Sequence, residues 1–113
     1  MPFINVKTNS EKISDVKEEL KAELGQAITA IPGKSEAWLM VNIEDNTDMW
    51  FKGDSSPCAM FDVSIFGSAS DSAYDDLTAR ICALSEKYLG VPSSRTYVKY
   101  SEYTHWGWNN MNF

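Results

Sequence analysis

Histidine occurs once, at His105, and cysteine twice, at Cys58 and Cys82, so the chain has too few of either to build a disulfide framework or a Cys/His metal cluster. Arginine is nearly as scarce. Arg80 and Arg95 are the only two, and 16 acidic against 10 basic residues give a net charge of −6, which leaves no basic stripe to track phosphates. Nucleic acid is therefore not an expected partner. Apolar runs extend over only a few residues, and no basic segment precedes an apolar stretch at the N-terminus, so the sequence offers neither a membrane span nor a signal peptide. The expected place of synthesis is the cytoplasm, with release lacking a signal peptide left open. Both cysteines sit among apolar neighbours and read as small buried thiols rather than reactive ones. His105 has no Ser or Cys at triad spacing and reads as a surface or hydrogen-bonding residue, not a general base.

With 113 residues and 43% hydrophobic content, the chain fits one domain, 1–113, with a core of its own. Within residues 11–31, Ile13, Val16, Leu20, Leu24, Ile28 and Ile31 recur at spacings of three and four, an apolar stripe on a helix that Pro32-Gly33 ends. A second helix over 71–89 carries Tyr74, Leu77, Ile81, Leu84 and Tyr88, has cap candidates Ser70 and Asp71, and stops at Gly90. Strand-like runs flank each helix: Pro2 to Lys7 and Trp38 to Glu44, then Cys58 to Phe66 and Arg95 to Ser101. A shift of 57 residues carries Val6 onto Val63, Gly33 onto Gly90 and Val41 onto Val98, which suggests a pseudo-repeat of about 2–57 and 58–113. The expectation is an α/β (α+β) two-layer sandwich: two β-α-β units sharing a four-stranded mixed sheet, with both helices on one face.

Alternation along the strands puts Ala59, Phe61, Val63 and Ile65 on the helix side, while Tyr97 and Lys99 point away with Met40 and Asn42. The helix-free face also carries Trp38, Met60 and Phe66, more apolar surface than a solvated sheet face needs, so association with further copies is expected to cover it. The C-terminal segment concentrates aromatics, and Trp106 and Trp108 would share one face of a short strand. Chemistry enters at the other terminus. Methionine aminopeptidase normally removes Met1 when proline follows, and Pro2 would then carry a free secondary amine at the head of a strand. Burial in an apolar pocket lowers an amine's pKa from its ordinary value of about 8, so a desolvated Pro2 suits a general base near neutrality.

Several residues now coincide in order: Met1-Pro2, Gly33-Lys34 after the first helix, Ser55-Ser56-Pro57-Cys58-Ala59 before the third long strand, Gly90-Val91-Pro92 with Arg95-Thr96-Tyr97-Val98, and Gly107-Trp108-Asn109 with Phe113. Together they resemble the macrophage migration inhibitory factor family of the tautomerase superfamily, from Pro2 to Phe113. The resemblance implies a homotrimer with sites between subunits and a cofactor-independent isomerase of the phenylpyruvate or dopachrome tautomerase type. Its substrates would be small aromatic 2-keto acids. It implies Pro2 as the base, Lys34 as the carboxylate-binding cation, the Phe66 backbone N–H as a second carboxylate donor and Ile65 beside it. Tyr97 would come from a neighbouring subunit, and Trp38, Trp106, Trp108 and Phe113 would form an aromatic rim.

The chain departs from the family pattern at four places. Phe66 and Trp106 are bulkier than the usual residues, Lys99 stands where a neutral asparagine is common, and Cys58-Ala59-Met60-Phe61 keeps one cysteine of a Cys-x-x-Cys pair. One sulfur cannot form the intramolecular disulfide, so thiol-disulfide chemistry is disfavoured. The paired arginines of dehalogenase and decarboxylase relatives are missing. Two other readings stay open: a cytokine-like homologue that binds a protein receptor and keeps only a vestigial pocket, and an isomerase for acidic substrates, suggested by Lys99 beside Lys34.

Overall fold

A computed structural model describes residues 1–11 and 13–113. Strand β1 (Pro2–Thr8) lies inside the sheet, followed by helix α1 (Lys17–Ala27), β2 (Met40–Glu44), β3 (Ala59–Phe66), α2 (Asp71–Leu84), β4 (Thr96–Tyr103) and a small hairpin of β5 (Gly107–Trp108) and β6 (Met111–Asn112). The four long strands are ordered β2-β1-β3-β4. β1 pairs parallel with β2 and antiparallel with β3, and β3 pairs parallel with β4, so each β-α-β unit supplies one parallel pair and the two units join antiparallel through their first strands. This is the mixed four-stranded sheet expected from the sequence.

The alternation in the strands explains the core. Ile4 and Val6 of β1 and Phe61, Val63 and Ile65 of β3 are wholly buried, as are Leu20, Leu24 and Ile28 from the first helical stripe and Leu77 and Ile81 from the second. Each such side chain contributes about 1.5–3 kcal/mol on burial, before the entropy of ordering the chain is counted. β2 and β4 are the sheet edges, and Val41, Ile43, Val98 and Tyr100 are only partly buried against the same core.

The helices depart from the simple stripe at their ends. The helix expected over 11–31 is a regular α-helix only at Lys17–Ala27, bracketed by 3₁₀ turns at Ser14–Val16 and Ile28–Ala30; Lys12 lies outside the described residues. No side chain caps α1, whereas at α2 the Ser70 hydroxyl accepts the Ala73 backbone N–H at 3.1 Å, the cap expected from the sequence. After Leu84 the chain widens into a π turn, Ser85–Leu89, that buries Leu89 and leaves Tyr88 partly exposed. The buried Ser85 hydroxyl meets the Thr96 hydroxyl at 3.0 Å, and the Ser10 hydroxyl donates to the Leu89 carbonyl at 2.8 Å, so the wide turn is tied to both halves of the molecule. Trp38, expected at the head of a strand, lies in a 3₁₀ turn, Glu36–Trp38, ahead of β2.

Gly90 ends the π turn in the left-handed region at φ 68°, where an L side chain is strained, and a Cβ there would meet nothing within 4 Å. Gly90→Ala is therefore expected to cost about 1–2 kcal/mol through backbone strain alone. Gly90→Asn is expected to recover part of that. Urea unfolding should show the lower midpoint with an unchanged m-value.

Candidate active site

β1 sits between β2 and β3, so the chain begins at the middle of the sheet rather than at its rim. Pro2 is buried and stands opposite Ile65 in the antiparallel register. As the first residue of a strand it has no N–H to leave unpaired. Met1 precedes it here, which makes the Pro2 nitrogen an amide, and the Met1 carbonyl accepts the Phe66 backbone N–H at 3.0 Å. The Met1 α-amine marks what this place does to a nitrogen. Its pKa is lowered from 8.0 to about 6, first by burial and then by the charge and hydrogen bonding of Lys34. Both causes act against the cation.

Lys34 reaches this corner from the turn that ends the first helical segment. Gly33 takes φ 81°, the Lys34 N–H donates to the Ile31 carbonyl at 3.1 Å, and the side chain runs to the end of β3, where Nζ donates to the Phe66 carbonyl at 2.8 Å. Phe66 thus accepts from Lys34 through its carbonyl and donates to Met1 through its N–H. Gly67, at φ 92°, turns the chain immediately afterwards and ties it to β4 through its N–H and the Tyr103 carbonyl, 2.9 Å apart. A cation, an aimed backbone N–H and the start of the chain converge within a few ångströms.

Aromatic rings extend outward from that corner. Phe66 lies 5.6 Å from Phe113, Phe113 stacks on Trp108 at 6.2 Å with the planes 9° apart, and Trp108 meets Trp38 edge-on at 5.0 Å. The hairpin holds this wall in place: β5 pairs with β6, and the Phe113 N–H donates to the Trp106 carbonyl at 3.1 Å. Roughly half of each of Trp38, Trp108 and Phe113 remains exposed.

Other candidates fall elsewhere. Trp106 does not share a face with Trp108; it packs 6.0 Å from Tyr103 and lines an open groove of about 460 Å³ with Phe3, Met40, Ser64 and His105. Ile65 stands beside Pro2 in register, but its side chain is wholly buried in the core, so it supports the corner from behind and is not open to a ligand. Tyr97 lies on the rung of Met60 and Lys7, five residues down the strands from Pro2 or about 17 Å, and two strands across. Lys99 is on the rung of Asp62 and Asn5, and its ammonium pairs with Asp62 at 3.4 Å. Neither reaches Pro2 of its own protomer.

The remaining polar candidates are placed as their neighbours suggest. His105 shares a 3.1 Å hydrogen bond with the exposed Thr104 hydroxyl. Cys58 is buried as expected, whereas Cys82, on α2, is only partly buried; even so, desolvation pushes its thiol up, away from the reactive thiolate. Sequence reasoning missed Phe51, which presents its ring to Tyr97 at 5.0 Å, and Asp62, which offsets the charge of Lys99. The face shared by Asp62 and Lys99 was readable from strand alternation, while their common rung is set by the pairing register. Phe51 lies in a loop whose partners are set by the tertiary fold alone.

A family model described as macrophage migration inhibitory factor (MIF) matches residues 1–112. Macrophage migration inhibitory factor of Xenopus laevis is 25% identical over 115 residues, covering 100% of this chain and 99% of the frog protein. Among solved structures, Leishmania major MIF2 is 32% identical with a TM-score of 0.92, over 100% of this chain and 97% of that one. The macrophage migration inhibitory factor of Toxoplasma gondii is 25% identical with a TM-score of 0.89, over 98% and 99% of the two chains. On the match from residue 1 to residue 112, joined to a fold shared from end to end, the chain belongs to the macrophage migration inhibitory factor family of the tautomerase superfamily.

Proposed function

We propose that this protein is a tautomerase that interconverts keto and enol forms of aromatic 2-keto acids of the phenylpyruvate type, working as a homotrimer. The observation that carries the reading is the treatment of an amine at the head of β1, whose pKa falls to about 6 through burial and the nearby Lys34 charge. Removal of Met1 leaves Pro2 as a secondary amine one residue deeper, next to the same cation. It also leaves the Phe66 N–H without its acceptor, beside the Lys34 ammonium.

A 2-keto acid satisfies these groups together. Its carboxylate takes the Phe66 N–H and the Lys34 charge, its ring lies along Trp38, Trp108 and Phe113, and its C3 carbon faces the Pro2 nitrogen. Neutral Pro2 takes the proton from C3, and the ammonium so formed hands that proton to the C2 oxygen, which leaves Pro2 neutral again; the same transfers in reverse regenerate the keto form. Composition and oxidation level are unchanged, so the exchange calls for no electron acceptor. The trimer supplies the rest of the site. Tyr97 and Lys99 lie too far from their own Pro2 to serve it, and they project from the helix-free face that further copies would cover, so they would complete a neighbour's pocket. Asp62 already balances Lys99, which favours a neutral hydrogen-bonding group over a second carboxylate at the far end. A vestigial, receptor-binding pocket would need the corner filled, and Trp106 turns away from it toward Tyr103.

Two measurements test the reading. On protein whose N-terminal proline is confirmed by mass spectrometry, Pro2→Gly is expected to lower phenylpyruvate turnover about 10²- to 10⁴-fold with circular dichroism unchanged. Equal turnover removes Pro2 from the mechanism. In the pH dependence of kcat/KM, Lys34→Gln is expected to move the limb of the base to higher pH, because loss of a nearby positive charge makes protonation easier, and to raise KM. A limb that stays in place while KM rises leaves Lys34 as a binding residue only.

A further inference from the structure

Arg95 is held more tightly than any other cation among the described residues, and nothing in the proposed reaction uses it. It ends a 3₁₀ turn, Ser93–Arg95, directly before β4, and its side chain is only 16% exposed. Nε donates to the Pro57 carbonyl at 2.9 Å, and Nη2 donates to the Ser56 carbonyl at 2.9 Å and to the Asp54 carbonyl at 3.4 Å. The same Nη2 lies 3.0 Å from the Asp54 carboxylate, which also accepts the Ser56 N–H at 2.9 Å. A guanidinium so engaged has no fork left for a substrate carboxylate.

Its acceptors belong to one tight turn and the loop behind it. Phe51 and Asp54 exchange both backbone hydrogen bonds, at 2.9 and 3.2 Å, across Lys52 and Gly53, which take φ 52° and 81°. That left-handed pair is the backbone of a narrow reversing turn. The guanidinium carbon lies 5.1 Å from the Phe51 ring centroid on one side, and the Tyr97 ring meets the same ring edge-on at 5.0 Å, with 74° between the planes. Tyr97 is 58% exposed, and Phe51 is its aromatic neighbour.

We infer that Arg95 is a positioning residue that clamps the Phe51–Asp54 turn so that the Phe51 ring braces Tyr97 against the substrate's aromatic ring. The inference rests on the reading above, in which Tyr97 lines a neighbouring subunit's pocket. An exposed tyrosine without a brace samples several rotamers, and the freedom it loses on binding weakens affinity without touching the proton transfer. Lysine cannot replace the clamp, because a point charge lacks the planar fork that reaches several carbonyls at once.

The test is a double-mutant cycle on the processed protein, with phenylpyruvate and a short aliphatic 2-keto acid as substrates. Arg95→Lys is expected to raise KM for phenylpyruvate roughly tenfold, the scale of coupling between contacting residues. KM for the aliphatic acid, kcat and the pH profile should stay as they were. In a Tyr97→Ala background the same change should have no further effect. Phe51→Leu, which spares the clamp but removes the ring, should reproduce the rise even where the lysine variant folds poorly. The inference is overturned by an unchanged KM in both variants, or by equal losses with and without Tyr97. It also falls if Tyr97→Ala leaves KM untouched, but that result strikes first at the shared pocket, whereas a responsive Tyr97 beside a silent Arg95 strikes only at the clamp.

Discussion

The antiparallel pairing of β1 with β3 is the constraint on which the rest of this structure depends. It joins the two β-α-β units, and because β1 starts with Pro2, it carries the beginning of the polypeptide into the middle of a sheet. Chain termini are usually left in water because a charged amine loses hydration on burial. Here burial is the first cause of the low pKa of the Met1 amine and the Lys34 charge the second, so the cost of desolvation appears as an amine that gives up its proton more readily. That effect depends on the pairing register. A slip of one residue would turn Pro2, Ile4 and Val6 from the core face to the open face and take the amine out of the apolar setting.

The fold was legible where sequence periodicity reports burial directly. The alternation of β3 and the stripes holding Leu20, Leu24 and Ile28, and Leu77 and Ile81, name the core residues because one face of each element is covered. Legibility falls at the ends of elements. The stripe of the first helix continues through Ile13 and Ile31, yet the regular helix is shorter, because 3₁₀ turns keep those residues on the inner side without continuing the α-helical hydrogen bonds. The π turn after Leu84 is equally silent in the pattern: a widened turn advances the buried position by one residue, from Tyr88 to Leu89.

The candidate site divides along the same line. Lys34 and Phe66 were placed by resemblance, but their union is a tertiary fact, made by a side chain that spans 32 positions of sequence to reach a strand-end carbonyl. Trp106 and Trp108 look equivalent as a spaced pair, and they part because the hairpin begins only at Gly107: Trp108 follows β5 to Trp38 while Trp106 stays with Tyr103. Ile65 shows the limit of reading neighbours as partners. Its backbone stands beside Pro2, and strand alternation, already legible, sends its side chain into the core.

One further consequence concerns the Phe66 N–H. In the chain with Met1 it is held by the Met1 carbonyl, and in the proposed mechanism it belongs to the substrate carboxylate. Both acceptors are oxygens approaching one donor from one direction, and a single N–H so placed serves one of them at a time. Loss of Met1 therefore changes two things together: it converts an amide into an amine that can carry a proton, and it vacates the donor that, in that mechanism, would orient the keto acid. A base without its anchor would meet keto acids in random poses, and an anchor without its base would bind them unchanged. Because the Phe66 N–H is bonded to the carbonyl of the very bond that processing cuts, the proposed base and the proposed anchor would be released in one event, with Lys34, on the Phe66 carbonyl, beside both.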